Sequence, residues 1–218
     1  MPLMIRLSDV AHRYDETTAV SLPDLQVAQG EHQLVLGLSG SGKSTLLHIV
    51  AGVLTPTSGT VVVSGRDMHT LQGAALDRFR GQHIGIVFQQ LHLLDTLTVV
   101  QNLLMAPYMA GLPQDRRRAL ALLEQVDLVE KADAYPHTLS AGQKQRAAIA
   151  RAVMNNPDVL LADEPTASLD DERAGQVLDL LQSQAKAHNA TLLIATHDAR
   201  VKERFSSTYT LSASLATP

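Results

Sequence analysis

The segment Gly37-Leu-Ser-Gly-Ser-Gly-Lys43-Ser44-Thr45 constrains this chain more than any other. It ends an apolar run, His32–Gly37, and opens a stretch of helical composition, Lys43–Ala51, which Gly52 and Pro56 stop. A strand, a glycine-rich turn and a helix in that order make the P-loop pattern, with Gly37, Gly42, Lys43 and Ser44 at its defining positions. Glycines let the backbone wrap so closely that successive N–H groups converge on phosphate oxygens. The following helix aims its positive N-terminal end at the same anion. Ser39, Gly40, Ser41, Gly42 and Thr45 are therefore candidate phosphate-binding residues. Lys43 offers a point charge to the β- and γ-phosphates, and the Ser44 hydroxyl suits a Mg²⁺ ligand.

Around this loop the pattern predicts short strands over Leu3–Leu7, Leu22–Val27, Thr60–Ser64 and His83–Gln89, with a helix over Leu71–Arg80. From Thr96 to Asn155 helical periodicity takes over, broken at Pro107, Gly111–Pro113 and Pro136. Alternation returns with a strand at Asp158–Ala162, a helix at Asp171–His188 and strands at Thr191–Thr196 and Thr208–Leu211. An all-helical insertion within an α/β pattern predicts a helical subdomain hung on a mostly parallel sheet. The expected division is a single domain over 1–218, in which 96–155 is the helical subdomain and 1–95 with 156–218 make the rest.

Val159-Leu-Leu-Ala-Asp163-Glu164 reads as a buried strand ending in two acids, at the end of a sheet where ligands bind in open α/β folds. Asp163 suits a Mg²⁺ ligand, directly or through water. Glu164 suits a group that orients and deprotonates an attacking water. His197 follows the buried run Leu192–Thr196 and so reaches the same edge, as does Gln89 after Ile84–Phe88. His197 is placed to touch a γ-phosphate, and Gln89 to sense metal or water.

The bulk properties narrow the function. A net charge of -4 gives no electrostatic footprint for nucleic acid, and the absence of cysteine removes disulfides, thiolate metal sites and cysteine nucleophiles. Met1–Val10 alternates as a strand and carries Arg6 and Asp9, unlike a signal peptide. The most apolar stretch, Leu97–Leu112, is interrupted by Gln101, Asn102 and Pro107 and falls short of the roughly 20 residues a membrane span needs.

With these features in place, the chain resembles an ABC transporter nucleotide-binding domain over nearly its whole length. Leu139-Ser140-Ala141-Gly142-Gln143-Lys144-Gln145-Arg146 is similar to the LSGGQ signature, with alanine at Ala141 where glycine is usual. Gln89 matches the Q-loop, Asp163 and Glu164 the Walker B aspartate and catalytic glutamate, Ala167-Ser168-Leu169-Asp170 the D-loop, and His197 the switch histidine. Tyr14 resembles the aromatic that stacks on adenine. The resemblance implies a RecA-like P-loop NTPase core, an N-terminal antiparallel β subdomain and a helical signature subdomain. It implies an ATPase that uses ATP and Mg²⁺. Ser140, Gly142 and Gln143 would make a second anion site that faces the P-loop of an opposite protomer. Two copies arranged head-to-tail would then bury two ATP molecules at one interface.

The resemblance also implies an integral membrane permease as partner, with this chain peripheral on the cytoplasmic face of the cell membrane. Phe79-Arg80, His83–Gln89, Leu91–Leu94, Leu97–Val99 and Asn102 resemble the lipoprotein-releasing and macrolide-export branch, which acts by mechanotransmission. A regulatory ATPase that controls a membrane-bound partner without moving a substrate is the second reading. Docking is expected near Gln89–Val99, where Leu91, Leu93, Leu94 and Leu97 suit either a core or a contact surface. Arg116, Arg117 and Arg118 read as a solvated helix face.

Overall fold

The computed structural model describes residues 2–15, 18–167 and 169–211. The chain opens with strands β1 (Leu3–Arg13), β2 (Ala19–Ser21), β3 (Leu25–Ala28) and β4 (His32–Gly37), then helix α1 (Lys43–Val50). Strands β5 (Ser58–Val63) and β6 (Arg66–Asp67), helix α2 (Ala74–His83) and strand β7 (Ile84–Val87) follow. Helices α3 (Val99–Met109), α4 (Arg116–Gln125) and α5 (Ala141–Ala152) come next without an intervening strand. The chain closes with β8 (Val159–Asp163), α6 (Asp171–Ala187), β9 (Thr191–Thr196) and β10 (Ser207–Leu211).

Two sheets result. Strands β1, β2, β3, β5 and β6 pair antiparallel, and the second sheet runs β10-β4-β9-β8-β7 with every pairing parallel. Parallel strands must be covered on both faces, and their near-continuous apolar runs supply both. Val35, Val159, Leu161, Leu193 and Ala195 pack with α1 and the antiparallel sheet, and their neighbours Leu34, Leu160, Ala162, Leu192 and Ile194 pack with the helices α3, α5 and α6. Each large aliphatic residue so buried stabilises the fold by about 1.5–3 kcal/mol. No helix among the described residues is long and apolar enough to cross a membrane.

The elements differ from expectation at their edges. The first strand continues to Arg13 because a register shift between Ser8 and Ala11, with Asp9 in the left-handed region at φ 54, lets it turn without ending. Helix α2 starts three residues late because a 3-10 turn at Met68–Thr70 and Gly73 precede it. Pro23 delays β3 to Leu25. The basic cluster is corrected at one position. Arg116 and Arg117 are exposed, but Arg118 is half-buried and donates to the carbonyls of Val153 and Met154 and to Asn156 Oδ1, capping the last turn of α5. Burial lowers its pKa, against the pull of Asp115.

The α3 end of the link from β7 to the helical region is fixed by one amide. Asn102 is 1% exposed; its Oδ1 accepts from Leu94 N at 2.7 Å and its Nδ2 donates to the carbonyls of Leu94, Leu97 and Thr98. Thr98 caps α3 beside it in a reciprocal capping box with Gln101. We expect Asn102→Leu to cost about 1–3 kcal/mol, because it removes at one stroke the four hydrogen bonds that a buried side chain makes to the Leu94, Leu97 and Thr98 backbone. Urea denaturation of the two proteins measures this directly, and equal midpoints would show that the turn does not depend on Asn102.

Candidate functional site

Because β4, β9, β8 and β7 are adjacent and parallel, the loops leaving their carboxyl ends gather at one edge of the sheet. The loop after β4 carries Ser39 to Gly42 and enters α1 at Lys43. Its path demands glycine at two points. Gly42 has φ +94, and an added Cβ there would lie 2.6 Å from Val20 Cγ1. At Gly37 a Cβ would lie 2.2 Å from Ser41 Oγ and 2.9 Å from the Leu211 carbonyl. The loop therefore folds as a tight cup, with Ser39, Gly40 and Ser44 exposed along it and Ser41 and Thr45 buried beneath.

Lys43 is 6% exposed at the first position of α1. Its ammonium donates to the carbonyls of Gly37 at 2.9 Å and Leu38 at 3.1 Å, and lies 3.3 Å from Glu164 Oε1. Glu164 follows β8 in the left-handed region, at φ 46, and its backbone N–H donates to the Ala195 carbonyl on β9. That turn aims the carboxylate across the sheet edge. Oε2 accepts from the Thr196 hydroxyl at 2.9 Å and from His197 N at 3.3 Å, while His197 Nδ1 lies 3.0 Å from both carboxylate oxygens. A carboxylate only accepts here, so His197 Nδ1 carries the proton.

The two neighbouring acids titrate in opposite directions. Burial pushes the Asp163 carboxyl up, and Glu164 adds to this, while a hydrogen bond with Ser44 and the charges of His48 and Lys43 oppose it. Burial also acts upward on Glu164, but hydrogen bonds from His197 and Thr196 and the Lys43 charge outweigh it and hold this carboxyl below its ordinary range.

The donor set fits a hard divalent cation: Asp163 Oδ1 is buried and without a hydrogen-bond partner among the described residues, and Ser44, near enough to oppose the rise of that carboxyl's pKa, offers a hydroxyl beside it. Gln89 lies two residues beyond β7, exposed at the same sheet edge.

Tyr14 extends from the end of β1, 52% exposed, and its hydroxyl meets Thr45 Oγ1 at 2.8 Å. The ring thus stands beside the first turn of α1 with much of its surface in solvent.

Ser140 caps α5, and its side chain is occupied in a reciprocal box with Gln143: Ser140 Oγ accepts from Gln143 N, and Gln143 Oε1 accepts from Ser140 N at 2.9 Å. Ser140, Ala141 and Gly142 are exposed. Among the described residues, no hydrogen bond or ion pair joins this helix start to the Lys43–Glu164 cluster. Ser168 lies outside the described residues. The sequence reading missed Thr196 as a functional side chain, although a hydroxyl 1% exposed at a strand's last position, beside His197, marks it.

Comparison with known proteins agrees with this geometry. Residues 21–167 match the ABC transporter family. The chain is 45% identical over 213 residues to the lipoprotein-releasing system ATP-binding protein LolD 1 of Caulobacter vibrioides, covering 94% of this chain and 90% of that one. The dimeric structure of MJ0796, a bacterial ABC transporter cassette, superposes with a TM-score of 0.85 at 33% identity, covering 96% of this chain and 95% of that one. The same cassette in a post-hydrolysis dimer bound to ADP and Pi superposes with a TM-score of 0.84 at 32% identity, over 96% of each chain. The chain belongs to the ABC transporter family.

Proposed function

We propose that this chain is the ATP-binding and ATP-hydrolysing subunit of an ABC transporter complex, working as a head-to-tail homodimer that encloses two ATP molecules. The observation that carries the reading is the convergence of Lys43, Glu164, Thr196 and His197 at the sheet edge, beside Ser44 and Asp163. The adenine stacks on Tyr14, and the N–H groups from Ser39 to Thr45 receive the phosphates. Ser44 and Asp163, with Gln89 at the rim, would hold Mg²⁺, which supplies positive charge to the β- and γ-phosphates.

Lys43 has carbonyl partners in the loop and a carboxylate partner in Glu164. Turning its charge to the phosphates takes a cation from Glu164 and makes that carboxylate a better base. Glu164 then orients the attacking water and accepts its proton, and His197, held by Glu164 through Nδ1, stands beside the γ-phosphate.

The second half of the site comes from the partner copy. An exposed glycine in the first turn of a helix costs about 1 kcal/mol against alanine. The chain's own packing does not require Gly142, since an added Cβ there would meet nothing within 4 Å. Room at that point suits close approach by another molecule, and Ser140 with the free N–H groups of the α5 start suits its phosphate. In this reading residues 96–155 form the helical subdomain that carries the signature toward the partner's P-loop.

An integral membrane permease is the driven partner, which places the chain on the cytoplasmic face of the cell membrane. Likeness to LolD 1 supports the lipoprotein-releasing and mechanotransmission branch. The docking face runs along Gln89–Val99. Leu91, Leu93 and Leu97 are partly buried there, whereas Leu94 is 47% exposed and free to contact the permease.

Two variants test the chemistry. We expect Glu164→Gln to retain ATP binding, to lose about 10²–10⁴-fold in kcat, and to shift from monomer to dimer on Mg-ATP in light scattering after size exclusion. Normal turnover would remove Glu164 as the base. Ser140→Arg places bulk and charge in the composite site, so turnover should vanish while monomer affinity for ATP stays near wild-type by calorimetry. Loss of monomer binding would overturn the in-trans assignment.

A further inference from the structure

Beyond the stacking ring itself, the structure carries a support for that ring which the motif does not include. His12 is the penultimate residue of β1, and Tyr14 lies just beyond the strand's end at Arg13. Their rings meet nearly edge-to-face, with centroids 4.6 Å apart and planes at 82°. This is the favoured geometry for two aromatic rings. His12 is itself fixed, because its Nδ1 lies 2.9 Å from the carbonyl of Thr55, which can only accept. Thr55 belongs to the segment after α1, and that segment is pinned to the end of β1 by Thr57 N donating to the Ala11 carbonyl and Arg13 N donating to Thr57 Oγ1.

Tyr14 thus has two restraints on different parts of its side chain. Thr45 holds the hydroxyl at 2.8 Å, and His12 holds the ring. One hydrogen bond at the far end leaves a half-exposed ring free to swing about the line from Cβ to the hydroxyl. The His12 contact removes that freedom. A stacking platform gains affinity chiefly by being set before the base arrives.

We infer that His12 is a positioning residue for nucleotide binding: it fixes the plane of the Tyr14 ring so that a purine base stacks on a platform already in place. The inference rests on the proposed role of Tyr14 as the base-stacking residue. His12 touches Tyr14 and not the phosphates, so its effect belongs to the base alone.

The test compares ATP with inorganic tripolyphosphate, which has the phosphates and no base, by calorimetry on the full chain. Steady-state ATPase kinetics accompany it. The expected result for His12→Ala is a rise of about 2- to 12-fold in the Kd and KM for ATP, the range of one aromatic pair, with kcat at saturation and the Kd for tripolyphosphate unchanged. His12→Phe keeps a ring in contact with Tyr14 and restores most of the ATP affinity. In a Tyr14→Ala background His12→Ala has no further effect. A loss of tripolyphosphate affinity or of kcat in His12→Ala would overturn the inference, since it would place His12 in the support of the P-loop. An additive loss in the Tyr14→Ala background would overturn it as well. If His12→Ala is silent while Tyr14→Ala weakens ATP binding, the His12 role fails and the platform stands. If Tyr14→Ala itself leaves ATP affinity intact, the platform reading fails with it.

Discussion

The ion pair between Lys43 and Glu164, 3.3 Å apart with side chains 7% and 10% exposed, joins the two loops on which the site depends. A buried pair of this kind is tolerable only when the remaining lone pairs and protons find partners. Here they do. Lys43 also donates to two loop carbonyls, and Glu164 also accepts from Thr196 and His197. The loops after β4, β8 and β9 are thereby tied at one carboxylate. The tie is possible because β9 lies between β4 and β8 in the sheet, and because Glu164 adopts a left-handed conformation that a non-glycine residue enters at a cost of roughly 1–2 kcal/mol. Strain at that position is stored where chemistry is expected.

The rigidity of this edge continues outward into the segment proposed for docking. Arg151 on α5 donates to the carbonyls of Leu91 and His92 at 2.7 and 2.6 Å, and its burial lowers its pKa. His92 is left-handed at φ 48, and its ring meets Phe88 edge-on at 5.3 Å. Phe88 in turn contacts His48 on α1. With Asn102 binding residues 94–98 from the other side, the connection between β7 and α3 is held at one end by a partly buried guanidinium and at the other by a buried amide. Such a segment is built to move as one body, as the docking role proposed for it would require.

Much of this was legible because strand ends and glycine spacing are local properties. Gly37 to Thr45, Asp163, Glu164 and His197 all follow apolar runs, and a parallel sheet gathers such ends at one edge whatever the loops do. The fold class followed from the same alternation, broken by one helical stretch. What the sequence could not disclose depends on long-range geometry. The left-handed turn at Glu164 has no glycine or asparagine to announce it. Arg118 looked like one of three equivalent cations, yet its position on α4 sets it against the carbonyls of α5. Ser140 and Gln143, both expected at an anion site, cap each other at the start of α5 in this chain. Ser140 followed three residues later by Gln143 is the capping-box pattern, so that use was visible. His12 and Tyr14 stand two residues apart, but only the structure shows that their rings meet and that the Thr55 carbonyl orients His12.

The opposite titration of Asp163 and Glu164 fits the different work proposed for them. Asp163 is pushed toward its neutral form by burial, so a positive charge brought to it would favour its ionised state; a divalent cation held by Ser44 and Asp163, as proposed, would supply that charge. Glu164 is held ionised by donors of the protein itself, and a carboxylate so well satisfied is a weak base. Its basicity rises only when a donor leaves. Lys43 is the donor with somewhere else to go, since phosphate is a stronger attraction than the carbonyls of its own loop. In the proposed mechanism, binding of the triphosphate would therefore raise the basicity of the group that deprotonates the attacking water, and the two acids, adjacent in sequence, would divide the reaction between holding the cation and activating that water.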